Sequence, residues 1–167
     1  MERNTVIEHP AADRRERVRK EIKQLISDRT QMLAVYCNLV EIIKEPLDPE
    51  AHHEEMHLLQ EFCQMLIDYI AKGHFELYQR IVDGEERRKD VLKLANQSYA
   101  RISQTTQHAV DFNDYYDYGN PNSMKELERL PQRLSALGEE LATRIELEDQ
   151  LINALLPVRQ SDFNMMV

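Results

Sequence analysis

Residues 62–81 read FCQMLIDYIAKGHFELYQRI, and this stretch decides the fold. Phe62, Leu66, Tyr69, Gly73, Leu77 and Ile81 recur at steps of three and four, which gathers them on one side of a helix. Glu55 and Leu59 extend the stripe upstream, and Leu58, Cys63 and Ile70 widen it. The opposite side carries Gln64, Asp68, Ala71, Lys72 and Phe75. Phe75 is out of place there, because a solvated face rarely sets an aromatic beside a carboxylate and small residues. Two readings follow: a single exposed apolar group, common on any surface, or a docking face with an acid to meet a cation and an apolar patch around it. Gly73 in mid-helix costs about 1 kcal/mol against alanine, so it marks either a kink or the close approach of a neighbouring helix.

Working outward, Asp48, Pro49 and Glu50 read as an N-cap, a proline at the first helical position and an acid in the first turn. The helix they open runs to about residue 83. Before it, Ile22, Leu25, Ile26, Met32, Leu39, Val40 and Ile43 mark a first helix over residues 11–43, with Arg29 on the same stripe. After Gly84, a third helix spans residues 85–112, its seam partly polar at Ser98 and Thr105. The loop 113–122 holds the breaker Gly119-Asn120-Pro121. Ser123 and Glu126 then form a capping box. The last helix carries Leu127, Leu130, Leu134, Leu137 and Leu141, then Arg144, Glu148, Leu151 and Leu155 in one register, with a local bend at Pro131 and a stop at Pro157. No convincing strand interrupts this pattern. The expected fold is all-α, an elongated up-down four-helix bundle with short connections. It forms one domain over residues 1–157, followed by a flexible tail, 158–167.

Composition narrows the function. With 21 Lys and Arg against 30 Asp and Glu, the chain carries a formal charge of −9, which repels a phosphate backbone and excludes direct nucleic-acid binding unless a basic face is set apart. The basic cluster Arg14, Arg15, Arg17, Arg19 and Lys20 is interleaved with Asp13, Glu16 and Glu21, as in a solvated helix start laced with ion pairs. An acidic protein suits a basic partner. No run approaches the ~18 apolar residues of a membrane span, and the first ten residues lack the apolar core of a signal peptide. Cys37 and Cys63 both fall in apolar helical patterns and read as reduced core thiols of a cytoplasmic protein.

Two constellations invite chemistry. His53-Glu54-Glu55-Met56-His57 matches the H-E-x-x-H of zinc hydrolases. The histidines lie beside the apolar stripe, however, Glu55 stands where that motif avoids charge, and no third ligand follows. Glu50-x-x-His53 and Glu54-x-x-His57 each match a di-iron half-site, but both occupy one turn of one helix, whereas a di-iron core draws on several. A metal-binding bundle, zinc or hemerythrin-like di-iron, is therefore the alternative reading. The main one needs no metal and no cofactor. Arg29, His74, Arg144, Glu148 and Asp149 lie on or next to core stripes. Together they predict a buried polar network, with each arginine paired to a carboxylate because an unpaired buried charge is very costly. Neither a nucleophile nor a pocket accompanies them, which points away from an enzyme.

The stretch at 62–81 also resembles the signature helix of the Rsd/AlgQ family of anti-sigma factors. AVYCNLV at 34–40, FND at 112–114 and LEDQLI at 147–152 are similar to further family blocks in order and spacing. The resemblance covers about residues 22–155. Where family members carry Asp-Arg-Trp early in the first helix, this chain has Lys23, Gln24 and Leu25, and it contains no tryptophan. The resemblance implies a cytoplasmic helical bundle that binds the primary sigma factor of RNA polymerase at its C-terminal region, the helix-turn-helix that reads the −35 element and meets core polymerase. It implies Asp68 as the carboxylate that meets an arginine of sigma, with Gln64, Ala71, Lys72 and Phe75 beside it. Some relatives engage further regulatory protein partners.

Overall fold

A computed structural model describes residues 10–156. The tail expected at 158–167 lies outside them. Four long helices form a bundle: α1 (Pro10–Ile42), α2 (His53–Lys72), α3 (Lys89–Tyr116) and α5 (Leu130–Leu155), with a single turn, α4 (Ser123–Glu126), before the last. Successive helices pack together, α1 on α2, α2 on α3 and α3 on α5, the pattern of an up-down bundle with short connections. At 33 residues α1 is ~50 Å long, so the molecule is elongated. The core is built from the stripes: Leu25, Met32 and Leu39 from α1, Leu59, Phe62 and Leu66 from α2, Leu130, Leu134 and Leu151 from α5, all buried. The narrower α3 seam adds Val91, Ala95, Ile102, Ala109 and Phe112, with Ser98 and Thr105 buried among them. Phe62 is the aromatic hub, tilted against Tyr36 and edge-on to Phe112, each at 5.9 Å between centroids.

The structure corrects several local expectations. Asp48 is not the N-cap of α2. Its carboxylate accepts the Glu50 N–H at 3.0 Å, and its carbonyl accepts from Ala51 and His52, closing a separate turn. The helix starts only at His53. An aspartate that bonds its own backbone two residues on favours such a turn over a cap. Likewise no side-chain bond caps α4 at Ser123. Asn120 Oδ1 takes the Asn122 N–H, while Glu126 is drawn to Arg133, which also lies over the Tyr115 ring at 3.5 Å. A brief 3₁₀ turn, Leu127–Arg129, then leads into α5, and Pro131 sits in its first turn, where the missing N–H costs nothing. Cys63 is buried, and burial pushes its thiol up to about 12, with Asp117 adding to the shift. Cys37, in contrast, is exposed, because α1 contacts its neighbours over a narrower arc than its apolar pattern suggests. Ile26 and Val40 are also open to solvent, at 40% and 42%.

Beyond Lys72 the second helix does not continue as α. It widens into π-helical segments, Gly73–Gln79 and Ile81–Glu85. Gly73 stands at the transition. A Cβ there would lie 3.0 Å from Glu148 Oε1 and 3.4 Å from Arg144 Nη2, so the glycine makes room for a buried charge cluster. Close approach and altered winding thus coincide at this residue.

Candidate functional site

The charge cluster lies at the level of Gly73, where all four long helices meet. Glu148 on α5 is 2% exposed, and both its oxygens are engaged. Oε1 accepts from Arg144 Nε at 2.7 Å. Oε2 accepts from Arg29 Nη2 at 3.0 Å and from the Tyr69 hydroxyl. Arg29 Nη1 also reaches Asp149 at 2.6 Å, and its Nε meets the Tyr69 oxygen at 3.3 Å. Arg144 Nη1 spreads to the hydroxyls of Thr105 and Thr106 on α3 at 3.2 and 2.8 Å. Two guanidiniums thus face two carboxylates, and the formal charges cancel. Burial works against the charge on Arg29, but Tyr69, Asp149 and Glu148 around it outweigh that and raise its pKa. Burial, then the Glu148 charge, push the Tyr69 phenol up, so it remains a donor to the carboxylate.

Four of the five residues that the core stripes predict are therefore joined: Arg29, Arg144, Glu148 and Asp149. His74 is not among them. It is exposed, its ring edge-on to Phe75 at 5.1 Å. A π turn bonds i to i+5 and uses more residues than an α turn, so burial passes from Gly73 to Leu77 and Tyr78 and leaves His74 outside. The unpredicted members are Tyr69 and the two threonines. Tyr69 lies on the apolar stripe, where a tyrosine reads as core, and nothing in the sequence marks its hydroxyl as a partner of residues in α1 and α5.

Directly outside this cluster, α1 and α2 enclose a shallow open depression of about 600 Å³. Asp68, Ala71, Lys72 and Phe75 line it, joined by Asp28, Gln31, Met65 and Glu76, with Tyr69 at its floor. Phe75 is 64% exposed. Asp68 is exposed and accepts from Gln64 Nε2 at 2.9 Å, which leaves the rest of its carboxylate open. Lys72 turns across to α1 and meets Asp28 Oδ2 at 2.5 Å. That hydrogen bond lowers the Asp28 pKa and raises that of Lys72. Two turns further, Arg80 pairs with Glu21 at 2.5 Å. Formal charges on the depression sum to −2: Asp28, Asp68 and Glu76 against Lys72.

Four of the five residues read from the second helix thus line the depression, and Gln64 adjoins it through its bond to Asp68, while Asp28, Gln31, Met65 and Glu76 were missed. Acids seven apart on α1, Glu21 and Asp28, oppose cations eight apart, Lys72 and Arg80, in antiparallel register. That spacing was a usable signal for Asp28. The histidine turn at 53–57 lies away from this surface, with both His53 and His57 exposed. Among the described residues, no group of three or more His, Cys, Asp or Glu is placed to hold a metal ion, and no helix is long and apolar enough to cross a membrane.

Comparison with known proteins adds to this geometry. Residues 7–156 match the family described as "Regulator of RNA polymerase sigma(70) subunit, Rsd/AlgQ". A regulator of sigma D from Enterobacter sp. (strain 638) is 37% identical over 126 residues, covering 74% of this chain and 73% of that protein. The regulator of sigma D of Yersinia enterocolitica is 33% identical over 141 residues, 78% and 77% of the two chains. That of Salmonella paratyphi A is 33% identical over 135 residues, 80% of each. No solved structure gives a significant match.

Proposed function

The chain belongs to the Rsd/AlgQ family of regulators of the RNA polymerase sigma(70) subunit, and from that premise we propose that it acts as an anti-sigma factor through the face around Asp68. It binds the C-terminal helix-turn-helix region of the primary sigma factor and blocks that region's contacts with promoter and core polymerase. A helix-turn-helix presents Arg and Lys to DNA phosphates and bases. A face of charge −2 with an open carboxylate at Asp68 offers those cations a competing site, and the exposed Phe75 ring supplies apolar contact. The protein works by occupancy, without turnover, within the cytoplasm.

The observation that carries this reading is the exposure of Asp68 and Phe75 on one concave, acidic surface held rigid from below. Arg29 and Glu148 clamp α1 and α5 to Tyr69, so the depression is preformed and binding costs little ordering. Charge complementarity accelerates encounter and makes affinity fall with salt.

Co-purification with the primary sigma factor, with and without its C-terminal region, tests the proposal. Retention of the full factor and loss of the truncated one is the expected result. Equal retention of both would place the contact elsewhere. Sedimentation distinguishes a mixed complex from a bundle that buries Phe75 against its own copy.

A further inference from the structure

We propose that Glu76 is a second cation-receiving group on this face, so that the protein selects a partner helix carrying two basic side chains two turns apart. The inference rests on the reading of the face as the sigma-binding surface and adds the geometry by which a partner is chosen.

Among the described residues, four buried side-chain polar atoms lack a hydrogen-bond partner: Glu21 Oε2, Glu76 Oε2, Glu126 Oε2 and Arg133 Nη1. Three of these face an opposite charge, since Glu21 pairs with Arg80 and Glu126 with Arg133. Glu76 Oε2 alone has no such partner. That oxygen is shielded from water and makes no hydrogen bond that holds the bundle together, while the Glu76 residue lines the depression with Phe75. Buried oxygens in folded proteins are nearly always satisfied, and an exception calls for a ligand or a functional cost.

The neighbouring charges explain why the site stays open. Lys72 lies between the two acids, at four-residue steps from each, but it is turned aside to Asp28 at 2.5 Å. Arg80, one turn beyond, is held by Glu21. Burial raises the Glu76 pKa, with Glu21 and Asp28 adding to the rise and Lys72 and Arg80 opposing it. An arriving guanidinium or ammonium would replace the missing solvation. The Phe75 ring, exposed at the rim, is available to the same cation.

Asp68 and Glu76 are eight residues apart, a span somewhat below the ~12 Å of a pure α-helix because the stretch from Gly73 is wound wider. A partner helix laid in the depression reaches both with residues i and i+7 or i+8. Residues i and i+3 span ~4.5 Å and reach only one.

Binding of the full-length chain to the primary sigma factor, followed by calorimetry at several salt concentrations, tests this with Glu76→Gln, Asp68→Arg and, as an exposed control, Glu41→Gln. Glu76→Gln is expected to weaken binding at least about tenfold and to flatten the salt dependence. It should also raise the melting temperature at neutral pH, because it removes a carboxylate whose charge burial disfavours. A residue serving only the fold would lower it. If Glu76→Gln binds within twofold of the parent while Asp68→Arg does not bind, the second socket is refuted and the anti-sigma reading stands. If Asp68→Arg binds like the parent, the face itself is wrong. A helical peptide with arginines at i and i+7 should compete with sigma better than one with arginines at i and i+3. Equal competition refutes the spacing.

Discussion

Replacing Glu148 with glutamine keeps the shape of the side chain and removes one negative charge from a point where two guanidiniums converge. Arg29 and Arg144 have side chains only 9% and 1% exposed, so solvent cannot take over the lost charge. A carboxamide has one acceptor oxygen where the carboxylate has two. Whichever way it is flipped, its NH₂ meets an N–H of Arg144 or of Arg29. Removing one partner of a buried ion pair costs about 3–5 kcal/mol. A domain of this size typically has ~5–15 kcal/mol of stability, and each kcal/mol moves its midpoint by about 2–4 °C. Glu148→Gln should therefore melt roughly 6–20 °C below the parent. Asp149→Asn is the matched control. Its side chain is 51% exposed, and Arg29 keeps Glu148 when it is neutralised, so the loss should stay within about 1 kcal/mol. Urea titration followed by far-ultraviolet circular dichroism measures both. If the two variants are destabilised equally, within about 1 kcal/mol, the cluster is not a buried clamp.

Asp68→Arg should unfold at the same temperature as the parent while losing sigma binding; a drop in both would make the residue structural. Gly138→Ala should destabilise by about 1–3 kcal/mol despite alanine's better helix propensity, because the added Cβ would collide with the Tyr36 hydroxyl that bonds the Leu134 carbonyl. Thermal melting without loss would mean that Tyr36 yields freely. The Asp28–Lys72 bridge has a defined pH window. Asp28 titrates below its ordinary 3.8 in the folded chain, so its contribution is present above 3.8 and disappears as pH falls through the lowered value. The stability gap between parent and Asp28→Asn, small for so exposed a pair, should close across that range, and a gap constant down to acid pH would contradict the linkage. A thiol-reactive dye should label the native chain once, at Cys37, and a second time only after unfolding exposes Cys63. Two equivalents in the native state would contradict the burial of Cys63.

Much of this was legible because helical period fixes which side chains share a face. The 62–81 stripe separates Phe62, Leu66 and Tyr69 from Asp68 and Phe75 wherever the partner helices lie, and the arginines and carboxylates on the core stripes require one another once buried. The family blocks then direct attention to the same face. Local signals fared worse at helix ends. Asp48 and Ser123 both have good capping chemistry, yet each start was decided by competing bonds, the turn at Asp48 to His52 and the pull of Arg133 on Glu126.

The sequence by itself determined the helices, their core sides and the acidic surface, since these follow from spacing along one chain. Only the tertiary structure decided which charges meet across helices. It turned Lys72 toward Asp28 and left Glu76 without a partner, and at Gly73 it widened the second helix so that His74 left the core. Those outcomes depend on distances between segments more than forty residues apart, where a close contact with Glu148 or a 2.5 Å ion pair outweighs any local preference of the chain.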